Sequence, residues 1–546
     1  MTPLLTYFPS GAARAAVGDL APYNGPWGFG QAAHLLRRTM FSAKKEHIQQ
    51  FMQLTMHQAI AQLLTADVPA EPIAYIKSGA VAQGSPWASA SYDASQEGLR
   101  LTMLQSWWIG VMLNQTPSLT EKMTLFWHNH FATGANSVKD ARYIYKQNAL
   151  LRNYALGNFK QVMREITFDP AMLRWLSGNT NTKTSPNENY GRELQELFTI
   201  GKGKEIAPGN YTNYTEADVK TAARVLTGWK DNPASIAPVF TAANHDAGKK
   251  TFSAAYGNRV INGGATEAEA RREHNELLDM ILGQAPTAEY IVRKIYRWFV
   301  DYIVDESVET HIIKPLAQIF RDADFEIAPV LQTLFTSQHF YDATRVGAMI
   351  KTPADLVIGT GRMFKIDLFF PDPVTELPRT NWAYRTLRRI MGTMGMDIMN
   401  PPNVAGWPAY WQEPVYHRIW INADTLQKRV KYCTDLAVDK LRLDEMDYGS
   451  GAEIDAIEAA KMSDTPDDAG AMIADLCRYI FAVPVSAGQQ AVLKDQLLAG
   501  SPDAMWANEW SAMIADPDNE TKTQPVITRL RRMLKYMLSM AEYQLC

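Results

Sequence analysis

The amino-acid sequence predicts an all-α protein, a large globular array of helices joined by long irregular loops. Three observations predict it. Apolar residues recur at helical spacing from end to end, capping patterns are frequent, and alternating β-branched stretches are almost absent. After Ser42, the residues Ile48, Phe51, Met52, Ala59 and Leu63 fall on helical spacing. Ser118 with Glu121 reads as a capping box ahead of the Met123–Trp127 run. Thr215 with Asp218 opens the helix carrying Val219, Ala222, Ala223, Val225 and Leu226, which Gly228 ends. Thr266 with Glu269 and Ser486 with Gln489 repeat that pattern, and Ser501-Pro502 reads as a cap followed by proline at the first helical position.

The loops are unequal. Residues 65–95 are rich in Pro, Gly, Ser and Ala and read as a long excursion, and residues 229–264, with Gly257, Gly263 and Gly264, read as holding one small β-hairpin. Residues 366–380 and 400–421 are rich in proline and aromatics. Near residue 445 the chain turns acidic and rich in Ala and Met. The expected organisation is an N-terminal extension over 1–24, a main helical domain over 25–435, and a C-terminal helical subdomain or extra layer over 436–546.

Composition excludes several function classes. With 54 basic and 58 acidic residues the net charge is −4, which argues against nucleic acid or an anionic membrane surface as main partner. Cys433, Cys477 and Cys546 have no metal-ligand spacing and form no disulfide framework. No run of eighteen apolar residues exists, so no membrane span is expected. Met1 to Leu20 lacks a basic segment followed by a sustained apolar one, so no signal peptide is expected and the location reads as cytoplasmic. Serine-nucleophile, phosphate-loop, dinucleotide and His-Glu-x-x-His motifs are all absent.

Three segments could carry chemistry. The first is Asn187–Phe198, read as one amphipathic helix with Glu188, Arg192 and Glu196 in an i, i+4, i+8 row and Glu193 one step aside. Carboxylates so spaced can bind a hard cation or act as acid and base; equally, they can be an internal ion-pair network with Arg192 and neighbouring arginines. The second is His128-Asn129-His130, where an extended backbone would aim both imidazoles to one side and a continued helix would turn them about 200° apart. The third is His245-Asp246 in a glycine-flanked loop, a ligand pair or a base with its neighbour. A scatter of helical cations (Arg37-Arg38, Arg224, Arg293-Lys294, Arg297) could serve as carboxylate partners or an anion clamp. The Pro401–Pro408 loop, with Trp407, reads as a rigid aromatic wall of a sugar or polymer site, or as a packed loop.

Eight strings occur in order: Ala33 to Arg38, Phe126 to Phe131, Asn187 to Gly201, Tyr214 to Val219, Ala223 to Trp229, His245-Asp246, Lys351-Thr352-Pro353 and Pro401 to Pro408. In order and wording they resemble the bacterial domain-of-unknown-function 1800 family over roughly residues 25–435. The resemblance implies a mostly helical bacterial protein, often encoded beside a sulfatase-like partner. Many relatives are exported, which gives periplasmic location with a signal-bearing partner as the alternative. The chain departs from the family where Met40-Phe41-Ser42 follows the double arginine and where Ala409-Tyr410 follows Gly-Trp-Pro, with an insertion to His417.

Two functions are expected in competition. One is a metal-assisted hydrolase or transferase acting on a cell-surface polymer or its modified groups. There Glu188, Glu193 and Asp246 are catalytic, Arg192, Arg224 and Trp407 bind substrate, and His128, His130 and His245 hold a divalent metal of unknown identity. The other is a non-catalytic helical scaffold whose aromatic loop, with Trp407 and Trp411, docks a glycan or the sulfatase-like protein. A carboxylate-bridged di-iron oxidase ranks last because the paired Glu-x-x-His spacing is missing.

Overall fold

The centre of the molecule is a helix with no solvent face. All eleven residues of Thr120–His130 are buried, although five of them are charged, imidazole or amide side chains. Such a helix is stable only if each polar group finds a partner inside. Glu121 takes Arg152 (Nε–Oε1 2.6 Å) and the Trp108 indole (2.7 Å), and Lys122 takes Asp355. Asn129 accepts the Trp407 amide at 2.8 Å, and His128 Nε2 accepts the Met399 amide at 3.1 Å. The expected capping box therefore does not form. Glu121 is drawn inward by Arg152, and the Ser118 hydroxyl donates to Thr65 O.

The computed structural model describes residues 19–366, 368, 376–442 and 451–546. Around the central helix it is mostly α-helical, with four short two-stranded antiparallel sheets among the described residues. The long helices Glu97–Asn114 and Leu377–Thr393 pack together, and Pro353–Met363 lies against both. The capping boxes at Thr215/Asp218, Thr266/Glu269 and Ser486/Gln489 form as the sequence predicts. Near Ser501, the helix starts one residue late, at Asp503, with Pro502 as its cap. The segment after Ser42 is two helices, Lys45–Met52 and Met56–Leu63.

Residues 229–264 hold two small hairpins where one was expected. Trp229–Asn232 pairs with Ala237–Phe240, and Lys250–Thr251 pairs with Val260–Ile261. The Pro401–Pro408 loop lies on the end of the central helix. Gly406 (φ 83°) makes that approach possible, since a Cβ there would sit 2.4 Å from Asn129 Oδ1.

The C-terminal helices share one continuous hydrophobic core with the rest. Helix Ala423–Thr434 runs on as a π turn, Asp435–Asp439, through residues 435 and 436. Beyond the last long helix, Glu520–Ser539, the chain returns inward. Lys351 N donates to Gln544 O at 2.7 Å, Cys546 N to Met349 O at 2.9 Å, and Arg429 Nε to Gln544 Oε1 at 2.7 Å. The compositional change near residue 445 and most of the expected 1–24 extension lie outside the described residues. Among the described residues no helix is long and apolar enough to cross a membrane.

Candidate functional site

The segment Asn187–Phe198 begins as the sequence predicts and then departs from it. Asn187 caps an α-helix over Glu188–Glu193, whose Gly191 lets it lie against Glu216–Val225; a Cβ there would be 3.1 Å from Ala223 N. From Leu194 to Phe198 the chain forms a π turn. Such wide turns are concentrated at functional sites. The wider turn breaks the expected i, i+4, i+8 row. Arg192 pairs with Glu188 at 3.3 Å and in bidentate fashion with Glu216 at 2.5 and 2.7 Å, while Glu196 leaves the row for Lys202 (2.7 Å) and the Tyr214 hydroxyl (3.2 Å).

At the end of the π turn the carbonyls of Leu197 and Phe198 are free of the helical ladder, and side chains take them. The Lys294 amine donates to Leu197 O at 3.1 Å, and His130 Nε2 lies 3.0 Å from Phe198 O. A carbonyl only accepts, so Nε2 carries the His130 proton and Nδ1 accepts from Lys294 at 3.1 Å. The tautomer is thereby fixed, and burial and Lys294 hold the ring well below its usual pKa, neutral.

Two groups here lack the partner their charge calls for. Glu193 is half-buried and has no hydrogen-bond or ion-pair partner among the described residues; burial and the neighbouring Glu196 push it up to about 7. Lys294 has no carboxylate partner among them, and burial with Arg297 nearby lowers it to about 7. Tyr290 joins the two. Its ring centroid lies 4.8 Å from the Lys294 amine, and its phenol is pushed up by burial and by Glu196 and Glu193. Burial thus moves a carboxyl up and an amine down, each toward neutrality, on the two sides of Tyr290. Matched acid and base groups of this kind can move protons.

The other expected site residues lie elsewhere. The helix continues through His130, so His128 points away from it, edge-on to Trp108 and Trp407. His245 is buried, with Nδ1 2.9 Å from Thr227 O and Nε2 3.3 Å from Glu273. Asp246 pairs with Arg224 at 2.6 Å and accepts the Gly248 amide at 2.8 Å, an arrangement that fixes the loop. Glu188 is confined to Arg192. Trp407 is fully buried, a core ring rather than an accessible wall, and Trp411 is the exposed indole of that loop.

The structure thus sets Glu193 at the start of the π turn and His130 at its end, and places His128, His245 and Asp246 in other surroundings. Among the described residues no group of three or more His, Cys, Asp or Glu is placed to hold a metal ion; Glu193 with Glu196 is the pair a hard cation would draw on. Tyr290 escaped the sequence reading, and Lys294 entered it only as one of several helical cations. Their signal is the i, i+3, i+4, i+7 spacing of Tyr290, Arg293, Lys294 and Arg297 on helix Ala285–Phe299.

A family model described as "Protein of unknown function (DUF1800)" matches residues 34–545. No curated protein and no solved structure matches the chain.

Proposed function

The chain belongs to the DUF1800 family, whose activity is unknown, and on that footing we propose from its own site that it is a hydrolase or transferase working by general acid–base catalysis at the π turn. The observation that carries this reading is the Glu193 carboxyl, half-buried at the start of the π turn without a hydrogen-bond or ion-pair partner among the described residues and pushed up to about 7, with Tyr290 a shared neighbour of Glu193 and Lys294. Glu193 gives a proton to the leaving group or takes one from the nucleophile. Lys294, held by Leu197 O and His130, supplies the complementary charge, and Tyr290 supplies a phenolic donor. A cell-surface polymer or its modified groups is the proposed substrate.

The test is release of soluble fragments from bacterial surface polymer preparations, followed by mass spectrometry. Glu193→Gln is expected to lower release by about 10²–10⁴-fold without lowering the melting temperature. Equal release from the variant would overturn the proposal.

The metal-assisted form of this reading would use Glu193 with Glu196. Elemental analysis is expected to find about one equivalent of a divalent metal that is lost in the Glu193→Gln, Glu196→Gln double variant. Metal well below one equivalent in the wild-type protein would sink that form and leave the acid–base form standing.

The alternative is a scaffold, favoured by the exposed Trp411 on a loop fixed to the central helix. Recovery of a sulfatase-like protein or a glycan on the immobilised chain, unchanged by Glu193→Gln but lost on Trp411→Ala, would support it.

A further inference from the structure

A cleft of about 430 Å³ opens between helix Phe29–Thr39 and helix Ala469–Ile480, remote in sequence from the π turn. Its volume lies in the range of small-molecule sites. The lining includes two arginines and no carboxylate. The first, Arg37, spends one terminal nitrogen on neutral acceptors, donating to Arg478 O at 3.0 Å and Tyr479 O at 2.9 Å. The second, Arg478, lies 3.8 Å over the Phe29 ring, which also lines the cleft. Neither is ion-paired among the described residues.

Tyr341, on the same wall, has a buried hydroxyl with no hydrogen-bond partner among the described residues, an arrangement that native proteins seldom leave unanswered. The remaining walls are largely apolar and include Phe481 and Val485. Behind Arg37 two chambers of about 20 and 10 Å³ continue inward past Lys351 and Lys122, with Asp355 as the one carboxylate side chain in their walls. They have room for about a water each, so an organic ligand stays in the outer cleft; Asp355 is taken by Lys122, and Lys351 is the further cation behind it.

We propose that this cleft binds a small organic carboxylate, its charge on Arg37 and Arg478 and its apolar body against Phe29, Phe481 and Val485. Guanidinium forks match carboxylates in geometry as well as charge. The inference is independent of the π-turn site.

It is tested by calorimetric titration of the full chain with phenylacetate and octanoate, with phenylacetamide and inorganic sulfate as controls. At least one carboxylate is expected to bind about tenfold or more tightly than the amide and the sulfate. Arg478→Gln, which removes an exposed side chain, should weaken it by about tenfold, and Ala474→Phe, which fills the cleft mouth, should abolish it, both with unchanged melting temperature. The proposal is overturned if neither carboxylate binds at up to about 10 mM, if the amide binds equally, if sulfate binds as well as the carboxylates, or if both variants bind like wild type.

Discussion

Replacing Glu273 by alanine is expected to destabilise the fold by about 3–5 kcal/mol. Its carboxylate is fully buried, with Lys250 at 2.5 Å, His245 at 3.3 Å and the Gly264 amide at 2.7 Å. Lys250 is itself fully buried, so the variant strands an ammonium with only the Asp246 carbonyl, and leaves a buried amide without its acceptor. For a chain of this length the loss corresponds to about 3–4 °C in melting temperature. Chemical denaturation measures it. The double variant Glu273→Leu, Lys250→Met removes both charges and should recover most of the loss. A loss below about 1 kcal/mol for Glu273→Ala would show that Lys250 reaches water.

Glu193 and Lys294 should behave in the opposite way. A carboxyl raised from 4.5 to about 7 keeps its proton in the folded state after the unfolded chain has released it. Its contribution to stability is complete below pH 4.5 and is lost as the pH rises to about 7. Lys294, lowered from 10.5 to about 7, releases its proton early in the folded state, so it disfavours folding below pH 7 and that penalty fades as the pH rises to 10.5. The two effects together place the least favourable point near neutrality. Glu193→Gln and Lys294→Met are each expected to stabilise the fold at neutral pH by about 1–3 kcal/mol, discounted for partial exposure, and each should flatten its own limb of the stability–pH curve. Groups kept for chemistry commonly cost stability in this way. If either variant unfolds more readily than wild type at neutral pH, the corner is structural and the catalytic proposal loses its support.

The fold class was legible because it depends on local signals: helical spacing and three of the four capping boxes needed no long-range information. The fourth failed through a long-range effect, the pull of buried Arg152 on Glu121. The candidate site was half legible. Density of charge singled out the segment that carries the π turn, but a π turn has no residue signature, so Glu196 leaves the row that the spacing predicts. Lys294 sits on a helix whose polar face reads as solvated, and nothing local shows that it faces His130. The two histidines lay among Phe126, Trp127 and Phe131, which signalled burial correctly; their divergence depended on whether the helix ended before or after His130.

The buried helix Thr120–His130 also constrains how the protein is made. Its end is satisfied by backbone amides 271 and 278 residues farther along the chain, at Met399 and Trp407. At ribosomal speeds of about 5–20 residues per second, those partners emerge roughly 15–60 s after the helix does. Throughout that interval His128 and Asn129 lack these partners. The nascent chain must be shielded, or must hold this helix in a provisional packing, until its last third arrives.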